Sequence, residues 1–175
     1  MRLRIRDIEE TPKELVYDEP TSELNPLLTH GPVRDFTFVA PANVHLDYYR
    51  SGQEIFLQGE VRTEVVGQCA RCLEEFQFSH EPRFSFIMVP HQGRWAREDL
   101  SGGGGDLNWY EGEEIDTSPL LRERMLLALP TLPLCRDDCR GLCAQCGRNL
   151  NAGSCECSAV GDPRLAVLGS LKRSS

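Results

Sequence analysis

Hydrophobic and polar residues alternate along most of the first half of the chain. Leu3, Ile5 and Ile8 are separated by arginines, which predicts an edge strand whose arginines face outward. Between residues 33 and 89 apolar side chains recur at every second position in several runs. Those positions are Phe36, Phe38, Val44, Leu46, Tyr48, Ile55, Leu57, Val61, Val65, Phe76, Phe78, Phe84, Phe86 and Met88. Because successive side chains of a strand point to opposite faces, the pattern predicts an antiparallel sheet or a partial barrel.

The pattern becomes helical after residue 116. Apolar side chains between residues 118 and 129 recur at intervals of three and four, Pro119 suits a first helical turn, and Pro130 ends the helix. A second helix is predicted to begin at Asp162, with Pro163 in its first turn. The predicted fold class is therefore α+β, with two helices and a cysteine-rich segment between them.

These elements divide the chain into three predicted parts. Residues 1–32 form an irregular N-terminal segment apart from the edge strand, because four proline-containing turns interrupt them. Residues 33–134 form the β-rich core with its helix, and residues 135–175 hold the cysteine cluster and the C-terminal helix. Within the core, residues 90–115 are expected to be a flexible acidic insertion, and its glycines Gly102–Gly105 lack the lysine of a phosphate loop.

Eight cysteines are the densest chemical feature of the chain. Cys69 and Cys72 form one Cys-x-x-Cys pair, and the other six follow residue 134. Those six are Cys135, Cys139, Cys143, Cys146, Cys155 and Cys157. Paired cysteines in a tight turn are typical of zinc sites, so one or two structural zinc ions are predicted. The spacing leaves three ligand sets open: one site within the six, one joining Cys69 and Cys72 to Cys143 and Cys146, or two four-ligand sites.

Disulfide bonds and thiol redox chemistry are the alternatives to zinc for these cysteines. The chain has no apolar run typical of a signal peptide or a membrane span, so we expect a cytoplasmic protein whose thiols stay reduced and do not form disulfides. The spacings match neither common ferredoxin pattern. The alternative to metal is a thiol redox protein that uses Cys69 and Cys72, with Arg71 between them favouring a thiolate.

Charge limits the classes of partner. The chain has 27 acidic and 19 basic residues, a net charge of −8, which disfavours general binding to nucleic acid. Arg136, Arg140 and Arg148 are interleaved with the late cysteines, and with Arg71 they are candidate contacts to phosphate or to a partner protein. They are equally compatible with ordinary solvated surface charges. No group of Asp, Glu and His has the spacing of a nuclease site, so no catalytic residue and no small-molecule substrate are predicted.

Several short motifs built around these cysteines occur together. They are Cys69-x-Arg71-Cys72-Leu73, Ile115-Asp116, Leu129-Pro130, Pro133, Cys135-x-x-Asp138-Cys139-x-Gly141-Leu142-Cys143-x-x-Cys146-Gly147-x-Asn149-Leu150-Asn151, Cys155-x-Cys157 and Asp162-Pro163-Arg164. In this combination the chain, from about Val33 onward, resembles the YceD-like family, named as large ribosomal RNA subunit accumulation proteins.

The resemblance implies a bacterial cytoplasmic protein, with plastid relatives, that is needed for synthesis, processing or accumulation of large-subunit ribosomal RNA. It implies no catalytic residues. Some family members keep the first cysteine pair and lack the later cluster, which favours a metal site closed within residues 135–157. The resulting hypothesis is a non-catalytic ribosome-assembly factor that docks on precursor ribosomal RNA or on a ribosomal protein, and that has no membrane partner.

Overall fold

The structure is a computed structural model that describes residues 1–30, 36–91 and 106–157. Nine strands, one 3₁₀ turn and two helices lie in these ranges. In chain order they are β1 (Arg2–Arg4), a 3₁₀ turn (Ile5–Asp7), β2 (Lys13–Glu19), α1 (Leu24–His30), β3 (Phe36–Phe38), β4 (Ala42–Ser51), β5 (Glu54–Gln68), β6 (Glu75–His80), β7 (Arg83–Pro90), β8 (Asp106–Tyr110), β9 (Glu114–Asp116) and α2 (Ser118–Leu127).

The main sheet is built around β5, which at 15 residues is the longest strand described. Its first half pairs with β4 on one side and β7 on the other, and the order across the sheet is β2-β4-β5-β7-β8. Its second half pairs with β3 and β6. Every pairing in this sheet is antiparallel except β7 with β8. Because β2 and β8 are opposite ends of the order, the described sheet is open and not a closed barrel.

The strands β4 and β5 approach closely at Gly59. A Cβ atom at this position would lie 1.9 Å from the carbonyl oxygen of His45, so no side chain fits there. On the same face of the sheet the alternating residues of the central strands are buried, as their sequence pattern predicts. The large apolar side chains that are almost fully buried in this core are Leu24, Val44, Leu46, Ile55, Leu57, Val61, Val65, Leu121 and Met125. Burial of each large apolar side chain contributes about 1.5–3 kcal/mol.

Helix α2 covers this buried face. Asp116 accepts a hydrogen bond from the backbone N–H of Ser118 at 3.1 Å, which satisfies one of the free amides of the first turn. Leu121 and Met125 point into the core, and the helix ends at Leu127, before Pro130. The predicted helix is thus confirmed, with its end two residues earlier. No helix in the described ranges is long and apolar enough to cross a membrane.

The N-terminal segment is more regular than its turns indicated. It contains β2 and α1, neither of which the pattern predicted. Edge strand β2 pairs in register with β4, and Glu19 at its end is buried at 3% exposure. Arg122 donates to the Glu19 carboxylate at 2.9 Å and Ser118 at 3.0 Å. Arg122 and Ser118 on α2, about 100 residues away in sequence, thus stabilise the buried charge of Glu19.

The described parts of residues 90–115 also differ from the expectation of a flexible insertion. Residues 106–110 form β8, which pairs with β7, and residues 114–116 form β9, which pairs with β1. Pairing to strands distant in sequence orders these polar stretches, which carry little apolar periodicity of their own. Gly102–Gly105 and the helix predicted from Asp162 lie outside the described residues.

Candidate metal centres

The first Cys-x-x-Cys pair lies in the turn between β5 and β6. The N–H of Leu73 donates to the carbonyl of Cys69 at 2.9 Å, and the N–H of Cys69 donates to the carbonyl of Glu74 at 2.9 Å. Leu73 has a φ of 60°, which residues other than glycine rarely adopt. This tight turn directs both thiols to the same side of the sheet's end.

The cysteine-rich segment is bonded to that turn through the backbone. The N–H of Ala70 donates to the carbonyl of Pro133 at 2.8 Å, and the N–H of Leu142 donates to the carbonyl of Arg71 at 3.1 Å. The guanidinium of Arg71 donates to the carbonyl of Cys139 at 2.9 Å. A Cβ atom at Gly141 would lie 3.0 Å from the Arg71 carbonyl oxygen, so the two segments touch closely there.

Four cysteines meet where these segments join: Cys69, Cys72, Cys135 and Cys139, which we call the first cluster. Their sulfur atoms all lie within 4.8 Å of one another. The sulfurs of Cys69 and Cys139 are 3.8 Å apart and those of Cys72 and Cys135 are 3.7 Å apart. Disulfide sulfurs would be about 2.05 Å apart. Four thiolates around one Zn²⁺ at about 2.3 Å are separated by about 3.8 Å, so the first cluster has dimensions that suit such an ion.

The remaining four cysteines, Cys143, Cys146, Cys155 and Cys157, form the second cluster, whose sulfur atoms also lie within 4.8 Å of one another. Its Cys-x-x-Cys turn repeats the first one: the N–H of Gly147 donates to the carbonyl of Cys143 at 2.9 Å, and Gly147 has a φ of 70°. Cys146 and Cys157 are exposed in this cluster, whereas three of the four cysteines in the first are buried.

The pKa values of the first cluster are spread apart. Burial acts to raise the pKa of Cys69, but hydrogen bonds from the backbone amides of Cys135, Cys72 and Arg71 lower it to about 6. Burial raises the pKa of Cys135 to about 12, and the neighbouring thiol of Cys139 adds to this effect. Thiolates this close repel one another, and a bound cation removes that repulsion.

The second cluster has the same spread. Hydrogen bonds from the backbone amides of Cys146 and Gln145 lower the pKa of Cys143 to about 6, and the Gln145 nitrogen lies 3.4 Å from the sulfur. The neighbouring sulfur of Cys146, followed by burial, raises the pKa of Cys157 to about 12. In each cluster the pKa of one thiol is thus lowered to about 6, at Cys69 and at Cys143, and that of another is raised to about 12, at Cys135 and at Cys157.

Asn151 connects the first cluster to the surrounding loop. Its Nδ2 donates to the sulfur of Cys139 at 3.2 Å, which lowers the pKa of that thiol. Its Oδ1 accepts from Arg136 Nη2 and from the backbone N–H of Arg140, both at 2.8 Å. Residue spacing alone does not identify Asn151 as a site residue. Its signal in the sequence is its place at the end of the Asn-Leu-Asn string.

The four candidate contact arginines surround the two clusters. Arg71 donates to backbone carbonyls of the loop, and Arg136 also lies 3.3 Å from the carboxylate of Asp138. Arg148 donates to the carbonyl of Ser154 at 3.4 Å. Arg140 is exposed, and its side chain has no polar partner among the residues described. Three of the four thus hold the cysteine loops in place, which sequence spacing does not reveal.

The arrangement differs from both single-site ligand sets and matches the third, two four-ligand sites. The second cluster lies wholly within residues 135–157, as expected for a closed site, whereas Cys69 and Cys72 supply half of the thiols of the first cluster. Cys69 and Cys72 lie in the turn at the end of the sheet, and backbone hydrogen bonds hold the cysteine-rich loop against this turn. Cys69 is fully buried and Cys72 is 4% exposed. Such burial suits a structural role better than thiol exchange, which needs an accessible thiolate.

Residues 57–172, about two thirds of the chain, match the family model described as "Large ribosomal RNA subunit accumulation protein YceD". Over 164 residues the chain is 27% identical to "Large ribosomal RNA subunit accumulation protein YCED homolog 1, chloroplastic" of Arabidopsis thaliana, covering 80% of this chain and 51% of that protein. The chain is 30% identical to the Zea mays protein of the same name over 142 residues, covering 67% of this chain and 48% of that protein.

A protein of Mycobacterium leprae is 29% identical over 114 residues, covering 63% of this chain and 50% of that protein. The chain thus spans about half the length of these curated relatives. No solved structure matches the chain. The family match begins at Leu57, near the start of β5, and covers both cysteine clusters, and the chain therefore belongs to the YceD family of large ribosomal RNA subunit accumulation proteins.

Proposed function

We propose that this protein is a non-catalytic assembly factor that supports the accumulation of large-subunit ribosomal RNA, and that its two cysteine clusters each hold one structural zinc ion. The ribosomal role is supported by the family and by the names of the two plant relatives. The proposal of structural zinc rests on one observation. The sulfur atoms of Cys69 and Cys72 lie within 4.8 Å of those of Cys135 and Cys139 at the end of the sheet.

The donor set favours zinc in a closed, structural site. Each cluster offers four thiols and no histidine or carboxylate. Four thiolates complete a tetrahedral coordination and leave no open position for water or substrate, unlike catalytic zinc sites. Soft sulfur ligands also disfavour Mg²⁺ and Ca²⁺, which bind oxygen.

The cysteine-rich segment has little apolar material to fold around. Around the first cluster only Phe76 and Leu134 add partly buried apolar contacts among the residues described, and residues 143–157 contribute no side chain to a buried hydrophobic core. Structural zinc in small modules contributes about 10–16 kcal/mol of binding free energy. We infer that metal, rather than hydrophobic burial, holds this segment in one conformation.

The cysteine-rich segment with its metal ions bound is the part of the protein best suited to contact RNA. Two Zn²⁺ ions with eight thiolates leave a formal charge of −4 in the clusters, and arginines surround it. Arg140 is exposed, and Arg136 and Arg148 are exposed beside it along the loop. Phosphate contacts from such arginines position a protein on RNA without reading its sequence. The net charge of −8 then limits the binding to this one region.

Binding of the purified full-length chain to a precursor large-subunit ribosomal RNA fragment tests the proposal. Arg140→Ala should weaken binding about threefold to tenfold and reduce its salt dependence, whereas Arg6→Ala, an exposed arginine of the N-terminal segment, should leave both unchanged. Removing metal with a chelator should abolish the binding. A protein that contains no zinc, or that binds RNA equally well in both arginine variants, contradicts the proposal.

A further inference from the structure

One face of the open sheet carries a continuous apolar row that α2 does not cover. Tyr49 on β4 lies opposite Phe56 on β5, Phe56 lies opposite Ile87 on β7, and Ile87 lies beside Leu107 on β8. Directly paired residues share a face of the sheet, so these four side chains form one line across four strands, which we call the apolar row. The rings of Tyr49 and Phe56 stack with centroids 5.0 Å apart and planes 7° from parallel.

The apolar row is partly open to solvent. All four of its side chains are half-buried, and Trp109, two residues beyond Leu107 on β8, is 44% exposed. The neighbouring core-facing residues Ile55, Leu57 and Met88 are buried. Adjacent aromatic and aliphatic side chains on a sheet surface are common at sites where another molecule binds.

Acidic residues lie next to the apolar row on the same face. The next line of paired residues contains Glu14, Asp47 and Gln58. A groove of about 430 Å³ runs over this region, and its charged and titratable lining is Glu14, His45, Asp47, Glu60 and Arg83. Arg83 is already 3.8 Å from Glu60. In the described part of the chain, Asp47 has no ion-pair partner.

We propose that this face, made of the apolar row and the acidic groove, docks a protein segment that is rich in Lys and Arg and carries at least one apolar anchor residue. The charges decide between classes of partner. Carboxylates at Glu14 and Asp47 repel phosphate and attract guanidinium and ammonium groups. The stacked rings of Tyr49 and Phe56 offer an apolar contact and an aromatic surface for a guanidinium. This surface is separate from the cysteine clusters, so the proposal does not depend on bound metal or on RNA binding.

The probe is a synthetic peptide of about 15 residues in which Arg and Lys alternate with Leu, titrated into the zinc-loaded full chain by calorimetry. Two matched peptides separate the contribution of charge from that of apolar contact. One replaces every basic residue by Glu, and the other replaces every Leu by Ser. We expect measurable binding of the first peptide only.

Variants locate the binding on the molecule. Trp109→Ala and Phe56→Ala should each weaken peptide binding about tenfold, whereas Leu127→Ala, a 71% exposed apolar residue on α2, should not change it. Asp47→Asn should weaken binding severalfold and flatten its salt dependence, whereas Glu123→Gln, an exposed carboxylate on α2, should not. Asp47 is exposed, so its variant tests the proposal even if Phe56→Ala fails to fold.

Four results overturn the proposal. The first is equal loss of peptide binding in the α2 controls, which means unspecific attraction to an acidic protein. The second is stronger binding of a single-stranded oligonucleotide than of the peptide at this face. The third is a homodimer in sedimentation that Phe56→Ala dissociates, which makes a second copy the occupant. The fourth is a lower melting temperature of Trp109→Ala with unchanged peptide binding, which means that the protein's own chain covers the apolar row.

Discussion

Leu73 and Gly147 occupy the same position in two turns of the same geometry. Each follows the second cysteine of a Cys-x-x-Cys pair, and each donates its N–H to the carbonyl of the first cysteine at 2.9 Å. Their φ angles are 60° and 70°. Glycine adopts this left-handed conformation freely, whereas leucine is strained there by about 1–2 kcal/mol. The turn after Cys72 therefore keeps its shape against local backbone preference.

This difference predicts opposite responses to substitution. Gly147→Leu should lower the free energy of unfolding by about 1–2 kcal/mol, because it introduces the strain. Leu73→Gly should change it by less than about 1 kcal/mol, since relief of strain offsets the greater chain entropy of glycine and the loss of a side chain that is 55% exposed. Urea denaturation of the zinc-loaded protein measures both. A loss at Leu73→Gly as large as that at Gly147→Leu contradicts the strain argument.

Metal content distinguishes two separate clusters from one shared cluster. Cys72→Ser and Cys157→Ser should each reduce bound zinc from two ions to one, as counted by native mass spectrometry, because each removes one ligand from a different set. Cys72→Ser should also expose residues 135–142 to protease, since it breaks the connection to the sheet. Cys157→Ser should leave that region protected. Loss of both ions in either variant indicates a shared cluster instead.

Stability should fall at acidic pH through His80. This side chain is 5% exposed, its Nε2–H donates to the carbonyl of Met125 at 2.9 Å, and burial lowers its pKa. Below about pH 6.5 the unfolded imidazole binds a proton that the folded one does not. The stabilising contribution is therefore complete above about pH 6.5 and is lost as the pH falls toward the lowered folded pKa.

Denaturation at a series of pH values between 7.5 and 5.5 measures this effect. The contribution from His80 is at most about 1.4 kcal/mol per pH unit, and His80→Gln should remove it from the slope. The matched control is His45→Gln, because the His45 side chain is 43% exposed. If His80→Gln retains the full slope of the unmodified protein, another group is responsible.

The buried carboxylate of Glu19 should be a sensitive point of the fold. Glu19→Ala leaves the partly buried Arg122 without its main acceptor and the Ser118 hydroxyl without its acceptor, so the free energy of unfolding should fall by about 3 kcal/mol. Glu114→Ala removes a more exposed ion pair, in which the Glu114 oxygen lies 3.5 Å from Arg4, and should cost less than about 1 kcal/mol. Similar losses in both variants contradict the structural role of the Glu19 pair.

The sequence predicted the local features of the fold well. Period-two alternation identified the strands from Phe36 to Met88, because one face of each strand is buried and the other faces solvent. Proline and its flanking polar residues identified α2. Alternation was uninformative for β2 and β8, where polar residues are ordered by pairing to β4 and β7. Edge strands need little apolar periodicity because one neighbour supplies their hydrogen bonds.

For the candidate site, the sequence by itself determined the donor atoms. Eight cysteines in paired spacing supply thiol groups of the kind that metal sites use, whatever the fold. The sequence also determined the family, through the strings around Cys69 and Cys143.

Only the tertiary structure decided which cysteines belong together. Ligand sets depend on distances between segments that are more than 60 residues apart, such as Cys72 and Cys135, whose sulfurs lie 3.7 Å apart. The pairing of β5 with β6 places the first turn at the end of the sheet, and hydrogen bonds from Ala70 and to Arg71 bring the later loop to it. Spacing within a turn is a local property of the chain, whereas the meeting of two turns depends on the packing of the whole fold.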